Sequence, residues 1–89
     1  MEIEWSPSKN EELKERYGVG FERVLVALTE GALLDSRTHP NVERYGHQHQ
    51  LIVEIDSYAW NVPFVQEGQM VCLKTMFPNR KATKKYLER

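Results

Sequence analysis

Six cationic side chains crowd the end of this chain: Lys74, Arg80, Lys81, Lys84, Lys85 and Arg89. Opposed only by Glu67 and Glu88, they leave residues 67–89 at +4 within a chain whose formal charge is −1. Lysine and arginine bind phosphate, the guanidinium through two parallel hydrogen bonds. A strand that hands such groups to a helix start makes a seat for an anion. The plainer reading, which this stretch alone favours, is that the cations complement a helix C-terminus and solvate its outer face. A second group is His39, His47 and His49. On an extended strand His47 and His49 face the same way. No Asp, Glu or Cys is spaced to complete a familiar metal set with them, so neither metal nor cofactor is expected.

The elements that must position these residues follow from local signals. Residues 1–5 read as a short strand with Ile3 and Trp5 on one side. Ser6-Pro7 is a helix start and Gly18 a stop, giving a polar helix over 7–17 with Leu13 and Tyr17 as its apolar contacts. Phe21, Val24, Leu25 and Leu28 then mark an amphipathic helix over 21–30. A short extended piece covers 32–36, and residues 37–50 are irregular. Strands are expected over 50–56, with Leu51, Val53 and Ile55 inward, and over 58–66, with Tyr58, Trp60, Val62 and Phe64 on one face. Pro63 lacks a ladder donor and marks a bulge or an edge. The alternation then predicts a strand over 70–77, with Lys74 among Met70, Cys72 and Met76, and a basic helix from Arg80 onward. The fold class is therefore α+β in one domain over 1–89: a short strand, two helices, a four-stranded antiparallel meander and a basic C-terminal helix.

Location gives the net charge its meaning. Residues 1–35 carry −4, residues 36–66 carry −1 and residues 67–89 carry +4. This polarity excludes non-specific coating of nucleic acid, which needs many phosphate contacts at once, but leaves room for a local anion site. No apolar run reaches membrane-span length and the acidic start lacks the regions of a signal peptide, so a cytoplasmic protein without membrane contact is expected. The single Cys72 reads as a small core side chain.

Two stretches resemble a known family. Ile3-Glu4-Trp5-Ser6-Pro7-Ser8-Lys9-Asn10 followed by Arg16-Tyr17-Gly18-Val19-Gly20-Phe21-Glu22 resembles the opening of BrnT-type toxins, and Arg80-Lys81-Ala82-Thr83-Lys84-Lys85-Tyr86 is similar to their closing segment. These are toxins of bacterial type II toxin–antitoxin modules, with a fold like that of the RelE ribonucleases. The resemblance implies a metal-independent endoribonuclease acting on mRNA, free or on the ribosome, and held inactive by a cognate antitoxin protein. The ribose 2′-OH would attack the adjacent phosphate, which calls for a base, an acid and cations.

Under that reading Arg80 is the phosphate clamp and Lys74 the next source of electrostatic stabilisation. Arg44 could meet the same site, His47 or His49 could transfer protons, and Tyr86 either stacks a base or packs as core. Lys81, Lys84 and Lys85 would follow the RNA backbone. The alternative is a non-catalytic interaction module that docks an acidic partner protein through the basic C-terminal segment.

Overall fold

Ser6 and Gly18 bound the first helix as their chemistry demands. In the computed structural model, which describes residues 2–38 and 48–88, the Ser6 hydroxyl accepts from Lys9 N–H at 3.3 Å, and Gly18 stops the helix with φ at 78°. The elements are β1 (Glu2–Trp5), α1 (Pro7–Tyr17), α2 (Phe21–Thr29), β2 (Leu33–Thr38), β3 (Gln48–Ile55), β4 (Tyr58–Glu67), β5 (Met70–Leu73), β6 (Phe77–Pro78) and α3 (Arg80–Tyr86). None of these helices is long and apolar enough to cross a membrane.

The fold is α+β, and the expected meander is present as β2-β3-β4-β5. The sheet is nonetheless six-stranded and mixed. β1 joins β5 in parallel, Ile3 opposite Val71 and Trp5 opposite Leu73, and forms one edge of the sheet. Alternation told which side of β1 is buried but carried no information on which strand it would join.

The hairpin between β3 and β4 is a two-residue turn in which Asp56 and Ser57 both take positive φ, 52° and 65°. Such turns match the right-handed twist of the flanking strands.

The strand expected over 70–77 breaks after Leu73 and resumes as β6, with Asn61 opposite Phe77 and Trp60 opposite Pro78. Pro63 explains the interruption. Its carbonyl accepts from Lys74 N–H at 2.9 Å, while its missing donor leaves nothing to hold the following residues in the ladder. The break shifts the phase of the strand. Met76 becomes 1% exposed core, where simple alternation had grouped it with Lys74. Cys72 is half-buried on the other face rather than a core residue.

One sheet face carries α1 and α2 over Val53, Ile55, Trp60, Val62, Phe64, Val71 and Leu73. α3 covers part of the opposite face through Ile52, Ala59 and Ala82. The two helices of the first layer are joined by a polar contact inside the core. Asn10, 4% exposed, accepts from Phe21 N–H through Oδ1 at 2.7 Å and donates from Nδ2 to Glu22 Oε2 at 2.7 Å. Gly20 has no side chain with which to cap α2, so Asn10 caps it from the neighbouring helix. A Cβ at Gly20 would run into the same Asn10 Oδ1, which is why a glycine stands there. Phe21, fully buried, packs at a tilt against Trp5 with centroids 5.6 Å apart.

Removal of the Asn10 amide would leave the buried Phe21 N–H unpaired. Asn10→Ala is therefore expected to lower unfolding stability by about 1–3 kcal/mol in urea titration, while the exposed Glu12→Ala stays within about 0.5 kcal/mol. Equal, small effects from both would refute this role for Asn10.

Candidate nucleic-acid interface

The α3 face of the sheet brings polar and cationic groups together by strand alternation. Gln50 and Ile52 of β3, Ala59, Asn61 and Pro63 of β4, and Phe77 of β6 all point to this side. Arg37 stands opposite Gln50 on β2, and Asp35 opposite Ile52, so both join the same face.

α3 is fixed there by hydrogen bonds that extend the edge of β4. Asn79 N–H donates to Ala59 O at 2.8 Å and the Thr83 hydroxyl accepts from Ala59 N–H at 2.9 Å. The same hydroxyl donates to Asn79 O at 2.9 Å. Thr83 is 6% exposed and Ala82 6%, so the two small residues let the helix approach the strand closely.

Two hollows flank this attachment. One, of about 420 Å³, is lined by His49, Gln50, Pro63, Phe64, Val65, Lys74 and Phe77. Phe77 is 39% exposed, a large apolar surface beside an exposed lysine. The other, of about 250 Å³, is lined by Arg37, Ile52, Asn79, Lys81, Ala82 and Lys85. Because Arg37 and Gln50 are cross-strand partners, the hollows adjoin. The cationic band ends at Lys74, since Glu4 lines the next hollow beyond it. A near-neutral chain thus concentrates positive charge on one part of one face.

Of the residues singled out in the sequence, Lys74 and His49 line the first hollow and Lys81 and Lys85 the second. Arg80 and Lys84 are exposed on α3 and line neither. Among the described residues none of Arg80, Lys81, Lys84 and Lys85 forms an ion pair. The start of α3 is not itself an anion seat: the Asn79 side chain caps it, Oδ1 accepting from Ala82 N–H at 2.9 Å. Arg44, His47 and His39 lie outside the described residues. His49 stacks on Phe64 with centroids 5.2 Å apart, so strand alternation turns its ring towards the α1–α2 side. No three His, Cys, Asp or Glu among the described residues are placed to share a metal ion.

Tyr86 is half-buried against the Ile52–Ala59–Ala82 cluster, and its hydroxyl is engaged. It donates to Asp35 Oδ2 at 2.6 Å and accepts from an Arg37 terminal nitrogen at 3.1 Å, while Arg37 Nε donates to the same carboxylate at 3.0 Å. The residue thereby ties the end of α3 to β2. Arg37, Gln50 and Phe77 were not singled out in the sequence. Gln50 and Arg37 carry no motif, and only the antiparallel register of β2 on β3 puts them side by side. Comparison with family models, curated proteins and solved structures found no match to this chain.

The Tyr86 hydroxyl, with Arg37 and Ser36 N–H adding to it, holds the Asp35 carboxyl down at about 2. The folded value lies below the unfolded one of about 4, so the latch stabilises the fold above that pH and loses its effect as pH falls towards the folded value. The melting-temperature gap between the protein and Asp35→Asn should be full at neutral pH and close between about pH 4 and about pH 2. A gap that stays constant through this window would contradict the latch.

Proposed function

We propose that this protein is an RNA-cleaving toxin of a bacterial toxin–antitoxin module, a metal-independent endoribonuclease that works in the cytoplasm on the α3 face of its sheet. What supports the reading is the pairing of an exposed aromatic, Phe77, with three cations, Lys74, Lys81 and Lys85, around two adjoining hollows, Arg37 beside them being paired with Asp35. Single-stranded RNA binds by stacking unpaired bases on aromatic rings while cations follow the phosphates. The resemblance of both chain ends to BrnT-type toxins supplies the reaction class.

In that reaction the ribose 2′-hydroxyl gives up its proton as its oxygen attacks phosphorus, the bond from phosphorus to the 5′-oxygen breaks, and the departing 5′-oxygen takes up a proton, so that no net proton is consumed. The products are a 2′,3′-cyclic phosphate and a free 5′-hydroxyl. Lys74 stabilises the charge that gathers on the phosphoryl oxygens, and Arg80, one residue beyond the Asn79 cap, clamps a neighbouring phosphate. Lys81 and Lys85 lead the strand across the second hollow. A cognate antitoxin would inhibit by covering Phe77 and the cations together.

Lys84 favours a second reading. It stands exposed on α3 and lines neither hollow, where an acidic partner protein could meet it without any catalysis.

Purified protein in EDTA should cut single-stranded RNA to ends bearing 2′,3′-cyclic phosphate. Lys74→Ala should slow cleavage by about 100-fold, and Arg80→Ala should weaken it in the same direction. RNA left intact by the unmutated protein, or cut by both variants as fast as by the unmutated protein, would overturn the nuclease reading.

A further inference from the structure

The first hollow contains an amide whose orientation is fixed from a distance. At the far end stands Ala82 N–H, a backbone group that can only donate. It donates to Asn79 Oδ1 at 2.9 Å, so Asn79 Nδ2 must face the other way, and it donates to Asn61 Oδ1 at 2.8 Å. Asn61 is 9% exposed and therefore cannot exchange its partners for bulk water. Its Nδ2 donates in turn to Gln50 Oε1 at 2.7 Å. The three amides form a directional relay, each carbonyl accepting and each nitrogen donating toward the next.

Gln50 ends the relay at the wall of the 420 Å³ hollow. Its carbonyl is engaged by Asn61, and its Nε2 protons have no acceptor among the described residues. Lys74, on the same hollow, is also purely a donor. Phe77 supplies a flat apolar surface between the sheet and the start of α3. The hollow thus pairs a stacking surface with hydrogen-bond donors of fixed direction.

From this geometry we infer that Gln50 is a specificity-determining residue: the hollow holds one unpaired nucleobase on Phe77 and selects bases that present a keto oxygen, uracil or guanine, over adenine, whose exocyclic amine would meet a second donor. This rests on the reading of the α3 face as an RNA site. The physical basis is asymmetric. A donor facing a keto oxygen gains a hydrogen bond, whereas a donor facing an amine leaves both groups unpaired and partly desolvated.

The selection can be measured without cleavage by using fluorescein-labelled 2′-O-methyl oligonucleotides, which lack the attacking hydroxyl. Oligouridylate and oligoinosinate should bind about tenfold tighter than oligoadenylate, the inosine–adenosine pair separating keto from amino on the same purine ring. Gln50→Glu replaces the donor with an acceptor at a half-exposed position and should abolish or invert the ratio. Asn61→Asp should invert it through the relay, because a carboxylate at that position can only accept and turns the Gln50 carbonyl toward the hollow. Equal binding of the three oligomers by the unmutated protein, or an unchanged keto preference in Gln50→Glu, would overturn the inference while leaving RNA binding intact. Failure to bind any of them would overturn the RNA reading as well.

Discussion

The structure turns on how α3 is held to β4. A strand with free edge groups must satisfy them, and here Ala59 uses its N–H on the Thr83 hydroxyl and its carbonyl on Asn79 N–H. A seven-residue helix would not stand alone in water. These two bonds, the Asn79 cap and the Tyr86 latch to Asp35 compensate for its shortness. Once α3 is seated, Lys81 and Lys85 come beside Arg37, and Asn79 is directed at Asn61. The attachment thus places the α3 half of this face, while strand register places Arg37, Gln50 and Phe77.

The two sheet faces divide the work. The α1–α2 side holds most of the apolar core, with Phe21, Val24, Val53 and Val62 fully buried, and it carries most of the stability. The α3 side is only partly covered and keeps its buried polar atoms paired; among the described residues no buried side-chain nitrogen or oxygen lacks a hydrogen bond. That completeness matters more than the number of bonds, because one unpaired amide in the relay would cost more than a satisfied one contributes. A polar, well-determined surface is the natural result, and it lies next to the chain's positive charge.

Where the sequence sufficed, the signals were local. Ser6, Pro7 and Gly18 bound α1, and Tyr58, Trp60, Val62 and Phe64 share a face as their spacing required. Contacts over distance were not legible. Asn10 sits in a polar helix and gives no hint that its amide caps a second helix, and the break after Leu73 depends on a proline in the neighbouring strand. The stretches that resemble BrnT-type toxins have structural tasks: Trp5, Asn10, Gly20, Phe21 and Glu22 form one joint, and Ala82, Thr83 and Tyr86 form another. Such motifs speak to how the chain folds. The proposed chemistry draws instead on Lys74, Arg80 and the groups around Phe77.

The proposed nuclease must hold RNA on its α3 face, and amide and side-chain chemical shifts can locate it residue by residue. Titration of isotopically labelled protein with an uncleavable 2′-O-methyl oligouridylate should move the signals of Lys74, Phe77, the Gln50 side-chain amide, Arg37 and Lys81 together, while those of α1 stay in place. Shifts concentrated on α1 and α2, or none at saturating oligonucleotide, would contradict that placement.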